Sequence, residues 1–196
     1  DETLRAVANA RHAGFSNINL DIMWGLPGQS VEDALGDLQQ TIDLEPKHIS
    51  WYQLTIEPKT EFAGRPPILP VDPVLQEIEQ AGLALLADAG FQRYEVSAFS
   101  QQGHQCQHNL IYWSFGDYLG IGAGAHGKIS QKDGIYRTQR PSQPRLYQQD
   151  SQITELMLIP DTQRPIEFMM NALRLIDGVP QQTFVERTQL PWQLSL

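Results

Sequence analysis

An α/β fold built on a parallel sheet is what the patterning of this chain predicts, followed by a smaller α+β extension. Three observations carry the prediction. Residues Asn17 to Met23 alternate, with Ile18, Leu20 and Ile22 on one side and Asn17, Asn19 and Asp21 on the other, the period of a half-buried strand. Segments with apolar residues at helical spacing separate this run from two further strand-like runs. The order helix–strand–helix–strand–helix–strand up to residue 98 is the pattern of parallel strands joined by covering helices.

Each element has a local reason. Leu4, Val7, Ala8 and Arg11 share one helical face, and Gly14 supplies a C-terminal cap. The first strand ends before the turn-forming pair Pro27-Gly28. Ser30 caps the next helix, with Asp33 three residues on and Val31, Leu35, Leu38 and Ile42 as its apolar stripe. His48 to Leu54 reads as a second strand, followed by a loop with Glu57-Pro58 and prolines at 66, 67 and 70. Asp72 is expected to cap a third helix with Pro73 at its first position, a stripe of Val74, Ile78, Ala81 and Leu85, and Gly90 at its end. Phe91 to Ala98 reads as a third strand.

After Ser100 the character changes. Gln101, Gln102, Gln105 and Gln107 surround Gly103 and Cys106 in a polar loop, and Tyr118 to Ile129 is glycine-rich and reads as extended. The run KISQKDGIYRTQ predicts a hairpin turning at Asp133-Gly134. From Leu146 the chain reads as mostly helical, with Phe168, Ala172 and Leu175 as an apolar face.

Bulk composition excludes several function classes. The chain has 196 residues, 41% of them apolar, which is enough for a folded core. Its net charge of −9 and lack of a Lys/Arg stripe argue against a nucleic-acid partner, because phosphate binding rests on clustered cations. No apolar run is long enough to span a membrane, and the first residues read as an amphipathic helix rather than a secretory leader. A single cysteine, Cys106, rules out an internal disulfide and fits a reducing cytoplasm. Composition gives no oligomeric state.

Several constellations can carry chemistry. Asp21, toward the C-terminal end of its strand, could take ribose hydroxyls or a cation, or be simply solvated. The Gly25-Leu26-Pro27-Gly28-Gln29 turn enters a helix whose amides could hold a ligand, or is a plain connection. Gly122 to Gly127 matches GxGxxG, but a hairpin follows it where a dinucleotide site needs a helix. Those glycines let backbone pass close to a packed element or a bound cofactor. His126 is then a cofactor contact or a buried, hydrogen-bonded histidine. Cys106, His108, Asn109, Tyr112 and Trp113 form the densest cluster of unusual residues. Histidine and cysteine ligate haem iron and an aromatic pair can stack on a flat macrocycle. Alternatively Tyr112 and Trp113 fill the core while His108 and Asn109 tie down a loop. Cys-x-His is too few ligands for structural zinc, no GxSxG nucleophile elbow occurs, and His104 reads as solvent-facing.

Five ordered blocks, NLDIMWGLPGQS, SWYQLTIEPKT, CQHNLIYW, DYLGIGAGAHG and EFMMNALRLIDGV, resemble the oxygen-independent coproporphyrinogen III oxidase-like family of radical S-adenosylmethionine proteins. The HNxxYW block resembles the haem-chaperone branch rather than the true oxidases. The resemblance implies the C-terminal part of an incomplete (β/α) barrel over residues 1–100. It implies a glycine-rich segment and hairpin completing the site over 101–140, and the start of a mainly helical domain over 141–196. It implies an S-adenosylmethionine cavity with Asp21 at the ribose, the GIGAGAHG segment at Ala125 and His126 nearby, and Gln53 and Leu54 as weaker candidates. His108, with Tyr112 and Trp113 packing around it, is implied at the haem, and His108 is the one metal-ligand candidate, for haem iron.

The family's three-cysteine loop, which holds a 4Fe–4S cluster, is absent, so no residue here is a cluster ligand and none is assigned a catalytic role. The chain therefore reads as a fragment, without catalytic activity on its own. The expected partners of the intact form are haem and a haem-accepting client protein. The alternatives are an oxygen-independent coproporphyrinogen III dehydrogenase, which would decarboxylate propionate side chains with Arg93 as a possible helper, and an inactive truncated remnant.

Overall fold

The protein is described from a computed structural model, which covers residues 2–149 and 155–192. The parts of the expected helical tail at 150–154 and 193–196 lie outside these residues. The chain divides into two compact units, Asp1–Gln105 and Cys106–Leu196, and each is described by itself.

The first unit begins with α1 (Glu2–His12), closed by Gly14 at φ +95°, a backbone conformation that glycine adopts without strain. Only Val7 of this helix is buried, and the Arg11 guanidinium donates to the carbonyls of Leu44 and Glu45. Strand β1 (Asn19–Trp24) leads into α2 (Val31–Asp43). Ser30 and Asp33 form a reciprocal capping box at the start of α2, satisfying two backbone amides that the helix cannot bond internally. Strand β2 (His48–Gln53) pairs parallel to β1, with Asn19 opposite His48 and Asp21 opposite Ser50. A one-turn helix, α3 (Glu61–Gly64), capped by Thr60, was not legible in the sequence.

Helix α4 spans Asp72–Asp88 and begins one residue earlier than expected. Val71, not Asp72, is its cap, and the Val71 carbonyl accepts from the amides of Val74 and Leu75. Its fully buried residues are Ile78, Gly82 and Leu86, so the buried face is rotated by one position from the expected stripe. The reason is Trp51. A Cβ at residue 82 would fall inside its indole ring, so only glycine lets α4 approach the sheet there.

The third strand is corrected. Phe91 to Ala98 is not one parallel strand but part of a hairpin of β3 (Gln92–Glu95) and β4 (Ala98–Ser100). Sheet order is β1-β2-β4-β3, with β4 antiparallel to both β2 and β3. The Glu95 carboxylate accepts from the Ser97 amide and hydroxyl, and Arg93 donates to the Val96 carbonyl. These bonds satisfy the turn locally and let the chain reverse after four residues. One sheet face is apolar: Trp24, Ile49, Trp51 and Phe99 pack with Ala34, Leu38, Ile78 and Leu86 of the helices. Burial of each large side chain contributes about 1.5–3 kcal/mol.

The second unit starts with α5 (Gln107–Trp113), then β5 (His126–Gln131) and β6 (Gly134–Gln139). The expected hairpin is present, but its turn is Lys132-Asp133, since Gln131 already pairs with Gly134. Gly134 belongs to the strand because a Cβ there would meet Leu158 at 2.6 Å. Helix α6 (Pro144–Gln149) precedes β7 (Glu155–Leu158), which pairs antiparallel with β6 in a region expected to be helical. Short amphipathic runs are ambiguous in period, and pairing with β6 decides this one. Helices α7 (Arg164–Ala172) and α8 (Gln181–Thr188) follow. Phe115, Ile135, Ile159, Phe168, Ala172 and Phe184 form the core of this unit. Phe168 and Ala172 are buried as expected, while Leu175 is half-buried.

Two helical glycines give opposite expectations. Gly36 in α2 is exposed, with nothing within 4 Å of a Cβ. Gly36→Ala should stabilise by about 0.5–1 kcal/mol through helix propensity. Gly82→Ala should destabilise by about 1–3 kcal/mol despite the same propensity gain, because it overpacks Trp51. Urea unfolding of the two variants checks both signs.

Candidate functional site

Strand β1 carries Asp21 in its middle rather than toward its end, because β1 runs on to Trp24, whose carbonyl accepts from the Leu54 amide at 2.8 Å. The two-residue period of a strand puts Asn19 and Asp21 on the face opposite the apolar core, level with His48 and Ser50 of β2. Asp21 is exposed, and Asn19 Nδ2 donates to its Oδ1 at 2.8 Å. Among the described residues its other oxygen receives no hydrogen bond.

His48 is 4% exposed and stands behind this pair. Its Nδ1 lies 2.6 Å from Asn19 Oδ1 and its Nε2 lies 2.7 Å from the Tyr94 hydroxyl. Burial holds the imidazole pKa below its ordinary value, and the Asp21 charge offsets only part of that. Sequence reasoning missed this histidine as a site residue. Period alone places His48 and Ser50 on one face of β2, but only the strand register brings His48 opposite Asn19.

The Gly25–Gln29 turn behaves as a connection closed on itself. Gly25 and Gly28 have φ +72° and +71°. The Gln29 side chain accepts from the Leu26 amide at 3.1 Å and donates to Asp37 at 3.2 Å. Gln29 thus uses a turn amide that a ligand would need. Gln53 pairs with Trp24 in the register, which puts it on the sheet face opposite Asp21. The expectation that it shares one cavity with Asp21 is not met by this parity, whereas the next residue, Leu54, falls in step with Asp21. A hollow of about 1090 Å³ opens beside Arg11, Phe15, Lys47 and Phe91. That is the end where β1 and β2 begin, and none of the expected site residues lines it.

In the second unit, helix α5 presents His108 and Tyr112 one turn apart. Their rings meet edge to face with centroids 4.7 Å apart, and Tyr118 packs on Tyr112 at 4.2 Å. His108 is exposed, and no hydrogen bond reaches its ring among the described residues. The reading of His108 as a loop tie is therefore corrected. Burial and the neighbouring Tyr118 push the Tyr112 phenol up, so it stays protonated. Trp113 is half-buried. The Arg174 guanidinium lies 4.3 Å from its ring centroid, and its indole N–H is buried with no hydrogen-bond partner among the described residues. Tyr112 is half-buried too, so neither ring plugs the core. Cys106 is the cap residue of α5.

The glycine segment folds on its own backbone. Strand β5 begins at His126, two residues before the expected hairpin, and as expected no helix follows the glycines directly. A Cβ at Gly127 would meet Thr138 Oγ1, and Gly120 N at 2.9 Å. A Cβ at Gly120 would collide with the His126 carbonyl. Close approach of these strands, bridged at Tyr118 and Lys128, is thus reason enough for both glycines. Ala125 is half-buried, and its carbonyl accepts from the Arg140 amide at 2.9 Å. His126 is exposed, which overturns the buried alternative.

Under α5 lies a buried cation that the sequence did not announce. Lys128 is 2% exposed, with Nζ 2.7 Å from Asp117 and 4.4 Å from the Phe115 ring centroid. Burial lowers the Lys128 pKa and Asp117 raises it, with a net downward shift. Burial pulls the Asp117 carboxyl upward, but bonds from Lys128 and Ser130 outweigh that and lower it. The described residues hold no group of three or more His, Cys, Asp or Glu that could bind a metal ion, and none of their helices is long and apolar enough to cross a membrane.

Comparison with known proteins places this architecture. Over 96% of its length the chain superimposes on 47% of the coproporphyrinogen III oxidase HemN of Escherichia coli, a radical SAM enzyme, with a TM-score of 0.73 at 17% identity. The fold is therefore the one found in that part of a radical SAM enzyme. No family model matches the chain. The haem chaperones HemW of Escherichia coli (strain K12) and of Haemophilus influenzae are each 50% identical over 190 residues, 96% of this chain and 50% of either protein. The mouse mitochondrial radical S-adenosyl methionine domain-containing protein 1 is 44% identical over 132 residues, 65% of this chain and 30% of that protein. The chain is thus a homologue of the HemW proteins over the part of their length that it matches. It spans about half the length of the curated relatives it matches.

The Lys128–Asp117 pair gives a stability test. Asp117→Asn removes the counter-charge of a buried ammonium and should destabilise by on the order of 2 kcal/mol, less than for a wholly buried pair because Asp117 is partly exposed. Combining it with Lys128→Met should recover most of that loss. Chemical denaturation of the single and double variants reads the coupling.

Proposed function

We propose that this chain supplies the haem-handling part of a haem chaperone of the radical SAM type, which in intact form passes haem to a client protein. The observation that carries the reading is identity at half of the aligned residues, along nearly the whole chain, with proteins named haem chaperones. The arrangement on α5 supports it. An exposed imidazole can ligate haem iron as a neutral ring. Its edge-on contact with Tyr112, backed by Tyr118, limits the ring's rotation and offers flat apolar surface beside it. Haem here is cargo, and His108, Tyr112 and Trp113 would hold it.

Asp21 fits an S-adenosylmethionine ribose, since a carboxylate with an uncommitted oxygen can accept from hydroxyls. Ala125, His126 and Leu54 are weaker assignments to the same ligand. S-adenosylmethionine supplies radical chemistry when it is bound together with a 4Fe–4S cluster. The cluster does not fit this chain, which has one cysteine. The chain divides functionally at residues 100 and 140, and the intact protein works in the cytoplasm.

Titrating the chain with haemin and following the Soret band tests the reading. Wild type should shift the band saturably, and His108→Ala should weaken binding about tenfold or more, as expected for loss of an iron ligand. No Soret shift with wild type would favour the inactive remnant, and an unchanged titration with His108→Ala would remove His108 from the site.

A further inference from the structure

The polar face of the first unit holds a chain of hydrogen bonds that the proposed function does not use. It runs from Tyr94 through His48 and Asn19 to Asp21 across three strands. Chemistry fixes its polarity. The Asp21 carboxylate only accepts, so the Asn19 amide must turn its NH₂ toward it. The Asn19 oxygen then faces His48 Nδ1 at 2.6 Å and the Ser50 hydroxyl at 3.3 Å. Both must donate, so the proton of the neutral imidazole sits on Nδ1 and Nε2 accepts from Tyr94. His48 and Tyr94 at one end of the chain are buried, and Asn19 and Asp21 at the other are exposed.

We infer that His48 is a positioning residue: acting through Asn19, it holds one oxygen of the Asp21 carboxylate so that the other is presented to a ligand hydroxyl. The inference rests on the proposal that Asp21 meets a ribose. A buried, neutral imidazole suits the role, since it has one fixed donor and its ring cannot turn without breaking two bonds at once. An asparagine without that anchor could flip its amide and leave the carboxylate free to rotate. His48 touches no ligand itself, and its contribution is to cut the orientational cost of binding at Asp21.

The test combines two readouts on the full chain. In the first, solvent exchange of the Asn19 side-chain amide is followed by NMR. It should accelerate at least about fivefold from wild type to His48→Leu, and be largely restored in His48→Gln, whose amide can donate to Asn19. In the second, S-adenosylhomocysteine binding is measured by calorimetry for His48→Leu, Asp21→Asn and the double variant. His48→Leu should weaken binding about fivefold or more in the wild-type background and by less than about twofold once Asp21 is Asn, the sign of coupling through one group. An unchanged Asn19 amide in His48→Leu overturns the strut while leaving the ribose reading standing. Equal losses in both backgrounds overturn the positioning role. An Asp21→Asn variant that binds as wild type does sinks the ribose reading, and the ligand half of this inference with it.

Discussion

The contact of the Trp51 indole with the bare backbone of Gly82 sets the spacing between sheet and helix in the first unit. The ring fills the space a side chain would occupy on α4. It also lies tilted against Trp24 of β1 at 5.2 Å and meets Phe99 of β4 edge to face at 6.3 Å. One side chain thus ties two neighbouring strands and a helix into one core. Interiors packed at crystal density transmit small displacements, so the register of β1 against β2 follows from this seat. That register in turn places Asn19 opposite His48.

The two sheet faces are put to different uses. The apolar face is closed by α2 and α4, whereas the other carries Asn19, Asp21, His48 and Ser50 in a polar row. The strand period makes the division unavoidable: once Ile49 and Trp51 face the helices, His48 and Ser50 cannot. The second unit solves the same problem with fewer strands. Phe115, Phe168 and Phe184 meet edge to face in series. A lysine is buried against the Phe115 ring, because an aromatic face and a carboxylate replace its water.

Much of this was legible in the sequence. Ser30 with Asp33, the alternation before Pro27, and Gly14 and Gly90 at helix ends each encode local geometry by spacing alone. The hairpin at 91–100 was not legible, because Glu95 and Arg93 act through side-chain bonds to the turn that no periodicity records. Nor was β7, whose four exposed residues form a strand only because β6 offers an edge. In the site, Asp21 and His108 stood out by residue type and neighbourhood. His48 and Lys128 did not, since a buried polar residue is defined by partners far away in sequence. In the GIGAGAHG run only Gly120 and Gly127 permit the expected close approach, and the approaching group is this chain itself, neither a packed helix nor a cofactor, whereas Gly122 and Gly124 serve a positive φ.

The central claim is that α5 offers haem a ligating imidazole flanked by aromatic rings. Paramagnetic haemin bleaches nearby amide signals, so a spectrum of the labelled chain with substoichiometric haemin maps its seat directly. The account predicts bleaching centred on His108 to Trp113 and on Tyr118. Bleaching centred on the first unit, or spread without a focus, would contradict it.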